Sequence, residues 1–103
     1  MGRSLGSRSI DILVALQSRV CYGLDIVQRT GLLAGTVYTT LRRLEKRDLV
    51  RGSWEDPEIA EAERRPRRRY YALTPAGEAE LEESKKRMLQ LFAPSPMREE
   101  PKS

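Results

Sequence analysis

The sequence has no histidine, and Cys21 is its only cysteine among 103 residues. Without histidine, Ser-His-Asp and Cys-His catalysis are excluded, as is any His-ligated metal. One cysteine excludes an internal disulfide framework and a multi-cysteine zinc site. Long apolar runs are also missing. Ile12 to Leu16, five residues, is the longest in the first helical region, against roughly 18 to 20 for a membrane span. Arg3 and Arg8 have no long apolar segment behind them, which argues against a signal peptide. No Gly-rich phosphate loop is present. Glu78, Glu80, Glu82 and Glu83 read more simply as helix surface than as a general acid/base pair. These absences leave little room for an enzyme. They predict a cytoplasmic chain with no cofactor, no metal and no membrane partner.

The length fits one domain with a modest core that a partner chain can complete. Lys plus Arg is 19 against 15 acidic residues, a net charge of +4, and 15 of the 19 cations are arginine. The distribution says more than the total. Arg64, Arg65, Arg67, Arg68 and Arg69 fall within six residues, directly after an acidic block of Glu55, Asp56, Glu58, Glu61 and Glu63.

The apolar spacing predicts a first helix over Ser9 to Val20, capped by Ser7 or Ser9, with Asp11 suiting its positive end. A short second helix over Leu24 to Arg29 stops at Gly31, which is placed for a left-handed cap. The third helix runs from Gly35 or Thr36 to about Arg47. It turns Val37, Leu41 and Leu44 inward, with Thr36, Thr39, Thr40, Arg43 and Arg47 on the opposite side. Two helices joined by a tight turn, the second polar and basic outside, make a helix-turn-helix pattern. The plain alternative is a helical pair with a solvated charged face.

Strand-forming segments follow at Leu49 to Trp54 and Arg68 to Leu73, with Glu55 to Pro66 between them as a long hairpin loop. Thr74 caps a last helix, and Pro75 suits its first position. The expected fold is mainly α with a small β-ribbon: a winged helix-turn-helix of three helices, a two-stranded antiparallel wing and a C-terminal dimerisation helix. The expected organisation is a mobile arm at 1–8, a DNA-binding domain at 9–73, the dimerisation helix at 74–93 and a mobile tail at 94–103.

The chain resembles the PadR family of bacterial winged-helix transcriptional regulators. The resemblance rests on Tyr22-Gly23-Leu24-Asp25-Ile26, Gly35-Thr36-Val37-Tyr38, Leu41-Arg42-Arg43-Leu44-Glu45, Leu49-Val50, Trp54-Glu55 and Arg69-Tyr70-Tyr71-Ala72-Leu73-Thr74-Pro75-Ala76-Gly77. It spans about residues 8 to 92 and matches the small subgroup with a single C-terminal helix. Three positions depart from it. Thr39 stands where proline usually follows the tyrosine, Asp48 where glycine is common, and Leu33 where a capping serine is frequent.

The resemblance implies a homodimeric regulator, most simply a repressor, bound to double-stranded DNA. Thr36, Thr39 and Arg43 are then candidates for base edges. Tyr38, Arg42 and the helix start at Gly35 are candidates for phosphates. Wing arginines Arg64, Arg65, Arg67, Arg68 and Arg69 would lie on the backbone or in the minor groove. Tyr38 can instead pack half-buried, Arg42 and Arg43 can be solvated surface, and one or two wing arginines can pair with the acidic block. Ile10, Leu13, Val14, Leu81, Met88, Leu91 and Phe92 are the expected dimer interface; the alternative folds the last helix back on its own domain. Cys21 reads as a buried residue or a redox sensor. Trp54 and the tyrosines read as wing packing or an effector pocket. The resemblance allows a small-molecule effector without identifying it. The competing function is a winged-helix interaction module that holds an acidic protein on its basic face.

Overall fold

The computed structural model describes residues 5–92. The expected tail at 94–103 and residues 1–4 of the expected arm at 1–8 lie outside them, while Ser7 and Arg8 of that arm belong to the first helix. The elements in order are α1 (Ser7–Gln17), β1 (Cys21–Tyr22), α2 (Gly23–Thr30), α3 (Ala34–Lys46), β2 (Val50–Trp54), α4 (Pro57–Ala62), β3 (Arg69–Leu73) and α5 (Pro75–Phe92). The architecture is mainly helical with a small antiparallel sheet, the winged helix-turn-helix expected from the sequence.

Apolar residues at helical spacing close one core. Ile12, Leu13 and Leu16 of α1 meet Ile26 of α2, Val37, Leu41 and Leu44 of α3, and Leu81 of α5, with Val50 and Tyr71 from the sheet. Leu13 and Leu81 are both 0% exposed. This corrects their expected place at a subunit interface: both are enclosed within a single chain. The last helix therefore does pack against its own domain from Gly77 to Ser84, where Gly77, Leu81 and Ser84 are buried. Gln17, the polar break in the stripe of α1, accepts a hydrogen bond from Lys85 Nζ at 3.0 Å.

The sheet holds three strands among the described residues, in the order β1-β3-β2, all antiparallel. Two strands were expected. Cys21 and Tyr22 pair with Tyr71 and Tyr70, a two-residue strand too short to show an alternation. The expected long hairpin loop is corrected as well. Asp56 accepts the Glu58 N–H at 3.0 Å, Pro57 opens the turn, and Ala60 is buried beneath a short helix. The start of α1 also differs. Its N-cap is Gly6, with no side-chain cap, so neither Ser7 nor Ser9 caps it, and it ends at Gln17 rather than Val20.

Two expected caps are in place. Gly31 has φ of 75° and closes α2 onto Val27 O. Thr74 accepts the Gly77 N–H at 2.9 Å and donates its hydroxyl to Asp48 O at 2.7 Å. This side chain fastens the start of α5 to the turn after α3. At that turn Asp48 has φ of 61°, a conformation natural to glycine, the residue that the resemblance leads one to expect there.

Candidate nucleic-acid interface

Helix α3 begins without a side-chain cap at Leu33, and Val37 N is the first amide bonded back, to Leu33 O at 3.0 Å. Its open N-terminal amides therefore face outward, as an anion-binding helix end does. One face of the helix is spent on the core: Val37, Thr40, Leu41 and Leu44 are buried. The other face leaves Gly35, Tyr38, Thr39, Arg42 and Arg43 exposed and Thr36 half-buried. Arg42 and Arg43 have no ion-pair partner among the described residues.

Tyr38 combines packing with exposure. It is 41% exposed, yet the hydroxyl end of its ring lies against Gly23 at the start of α2. A Cβ on Gly23 would come within 2.5 Å of Tyr38 Cε1. Glycine here is what lets the tyrosine ring pass over the backbone.

The wing sorts its five arginines by environment. Arg65 is held by Glu55 through two hydrogen bonds, at 2.7 and 2.9 Å. Those bonds and the Arg68 N–H at 3.2 Å hold the Glu55 carboxyl down at about 2, against an ordinary 4.5. Arg67 donates to the Glu55 carbonyl at 2.9 Å, and its guanidinium lies 5.6 Å from the Trp54 ring. Arg68 stacks over Tyr22 at 3.9 Å, the closest of these cation–π contacts. Arg69 pairs with Glu45 of α3 at 3.0 Å and lies 5.4 Å from Trp54. Arg64, with φ of 57°, ends the turn of α4 and is exposed.

The sequence placed the wing arginines together and allowed one or two of them to pair with the acidic block, as Arg65 does with Glu55. It gave no sign that Glu45 would pair with Arg69. Only the fold brings Glu45 to Arg69. The signal for Glu55 was its position at the end of a strand, next to the exposed Trp54. Tyr22, Tyr38, Trp54 and Arg67 to Arg69 line one groove of about 650 Å³. Through Tyr38, α3 shares this groove of arginines and aromatic rings with the wing; Gly35, Thr36, Thr39 and Arg43 line a second cleft instead.

A family model described as the transcriptional regulator PadR-like family matches residues 12–83. The chain belongs to the PadR family. Several solved structures resemble it over most of its length. A PadR family regulator from Clostridium difficile R20291 is 28% identical, with a TM-score of 0.69, covering 86% of this chain and 100% of its own. A PadR-like factor from Bacteroides fragilis is 29% identical, with a TM-score of 0.71, and 82% of each chain is covered. Bordetella bronchiseptica BpsR, whose DNA binding is regulated by 6-hydroxynicotinic acid, is 29% identical. Its TM-score is 0.66, with 91% of this chain and 70% of BpsR covered. No curated protein matches the sequence. PadR-family proteins are DNA-binding transcriptional regulators rather than enzymes, and this chain is a regulator of that kind. No helix among the described residues is long and apolar enough to cross a membrane.

Proposed function

We propose that this PadR-family chain is a cytoplasmic homodimeric repressor that reads a pseudo-palindromic operator. Helix α3 enters the major groove, with Thr36, Thr39 and Arg43 toward base edges and Tyr38 and Arg42 on phosphates. The wing follows the backbone or minor groove. Arg64, Arg67 and Arg68, which have no ion pair among the described residues, are its contacts, while Arg65 is committed to Glu55 and Arg69 to Glu45. The observation that supports this reading is the shared groove: Tyr38 of α3 lines it together with the ordered arginines of the wing, while Thr36, Thr39 and Arg43 of the same helix line a second open cleft.

The dimer reading rests on what the chain leaves uncovered. With Leu13 and Leu81 closed inside, the exposed large apolar side chains of α1 and α5 are Val14 and, at the end of α5, Met88, Leu89, Leu91 and Phe92. Ile10 packs half-buried at the edge of the core. A second copy brought against this end of α5 covers an apolar strip that a monomer exposes. By likeness to BpsR, the reading includes a small-molecule effector that changes DNA affinity.

Fluorescence anisotropy with the duplex upstream of the gene, against a scrambled duplex, tests the reading. Salt is stepped from about 50 to 200 mM. Preference for the native duplex of at least about tenfold at the higher salt is expected. Equal binding that vanishes with salt overturns this operator.

A further inference from the structure

Helix α1 begins in an unusual electrostatic state for a surface helix. Gly6 supplies no side-chain cap, and the first turn contains no acidic residue. Ile10 N, bonded to Gly6 O at 3.1 Å, is the first amide returned to the helix. The amides of Ser7, Arg8 and Ser9 have no partner among the described residues, so the positive end of the helix is uncompensated.

This end does not face open solvent. Ser7, Arg8 and Ser9 form one wall of a cleft of about 860 Å³, and Thr36, Thr40 and Arg43 of α3 form the other. Thr40 is a second, separate pointer to a ligand. It is only 6% exposed, yet its hydroxyl has no hydrogen-bond partner among the described residues. Thr30 on α2, by contrast, donates its hydroxyl to Ile26 O at 2.8 Å. A buried polar group is normally partnered, and this one borders a cleft lined by two arginines and no carboxylate.

We propose that this cleft seats a phosphodiester of the DNA backbone, making the first turn of α1 a DNA-contacting element beside the recognition helix. Arg8 supplies the charge, the Ser7 and Ser9 amides the directed donors, and Thr40 the hydroxyl at the floor. The occupant is a backbone phosphate because Thr36 and Arg43, on the same cleft, also face the groove being read. The strand flanking that groove is the anion within reach. The proposal rests on the DNA-binding reading above and adds Ser7, Arg8, Ser9 and Thr40 to it.

Two variants of the full chain test it by anisotropy on the operator and on a scrambled duplex. Arg8→Gln removes a charge from an exposed position. The slope of log affinity against log salt is expected to shallow by about 0.9 per chain, equally on both duplexes, because phosphates carry no sequence information. Ser7→Pro removes one amide at the first helical position, where proline is tolerated, and Ser7→Ala is its reference. The proline variant is expected to bind both duplexes about tenfold more weakly than the alanine variant, the worth of one hydrogen bond to a charged group. An unchanged slope in Arg8→Gln overturns the seat. So does equal binding by Ser7→Pro and Ser7→Ala when their helix contents match. Should Ser7→Pro lose helix content, Arg8→Gln decides alone. If the unsubstituted protein shows no operator preference, the repressor reading fails separately, since the slope is still measured on the scrambled duplex.

Discussion

Arg69 on β3 donates to Glu45 on α3 at 3.0 Å, directly over Gly52 on β2. A Cβ on Gly52 would stand 2.8 Å from the Arg69 guanidinium. The absent side chain is thus the space in which the recognition helix and the wing are tied together. The pair is partly exposed, so Glu45→Gln is expected to cost about 0 to 1 kcal/mol of stability. Its larger effect falls on DNA affinity, because the wing loses its fixed angle to α3. Gly52→Ala acts the same way by displacing the pair. Thermal denaturation beside anisotropy checks this; parallel losses in both would make the pair merely structural.

Asp48 adopts a left-handed backbone at the corner between α3 and β2. Its N–H bonds to Glu45 O at 2.9 Å and its carbonyl accepts the Thr74 hydroxyl. The bonds are made by the backbone, so glycine keeps them and relieves the strain. Asp48→Gly is expected to stabilise the fold by about 0.5 to 1 kcal/mol, read as a rise in urea midpoint at constant m-value.

Thr74 has two duties, as cap of α5 and as clasp to Asp48. Thr74→Ala leaves both partners short and is expected to cost about 1 to 2 kcal/mol. Thr74→Ser retains both bonds and is expected to lose much less. Equal losses in chemical denaturation would point to the methyl group instead.

Glu55 gives the fold an acid limb. Its folded-state value, about 2, lies below the ordinary 4.5. The stabilisation is therefore complete above pH 4.5 and is lost as pH falls from there through about 2. The stability advantage of the unsubstituted protein over Glu55→Gln is expected to shrink across that window and to be constant from pH 5 to 7. Urea denaturation at successive pH values reads it.

The end of α5 is apolar and exposed, with Phe92 at 80%. Replacing Leu91 and Phe92 together by serine is expected to yield monomers in sedimentation equilibrium. The thermal midpoint of the winged-helix core should respond less than the assembly, because neither residue belongs to that core. An unsubstituted chain that is already monomeric sinks the dimer.

Periodicity and end signals carried much of the fold. Val37, Leu41 and Leu44 at helical spacing located the recognition helix, Gly31 its preceding stop, and Thr74-Pro75 the start of α5. Those features are local: a stripe, a cap and a ring constraint each act within a few residues. The strand at Cys21–Tyr22 was not legible, since two residues form a strand only when β3 offers its edge. The helix inside the wing was hidden by its charge. Pro57 to Ala62 holds one buried side chain, Ala60, and too short a stripe to register.

The sequence by itself determined that this is a basic, histidine-free winged helix with arginines crowded at the return of its wing. Only the tertiary structure decided which of those arginines are held in ion pairs. Arg65 is bound to Glu55 ten residues earlier and Arg69 to Glu45 twenty-four residues earlier. It also decided that Leu13 and Leu81 close the core within one chain while Leu91 and Phe92 remain outside it. A charge or an apolar side chain is set by its codon. Whether it is paired or covered depends on which distant segments the packed core brings within a few ångströms.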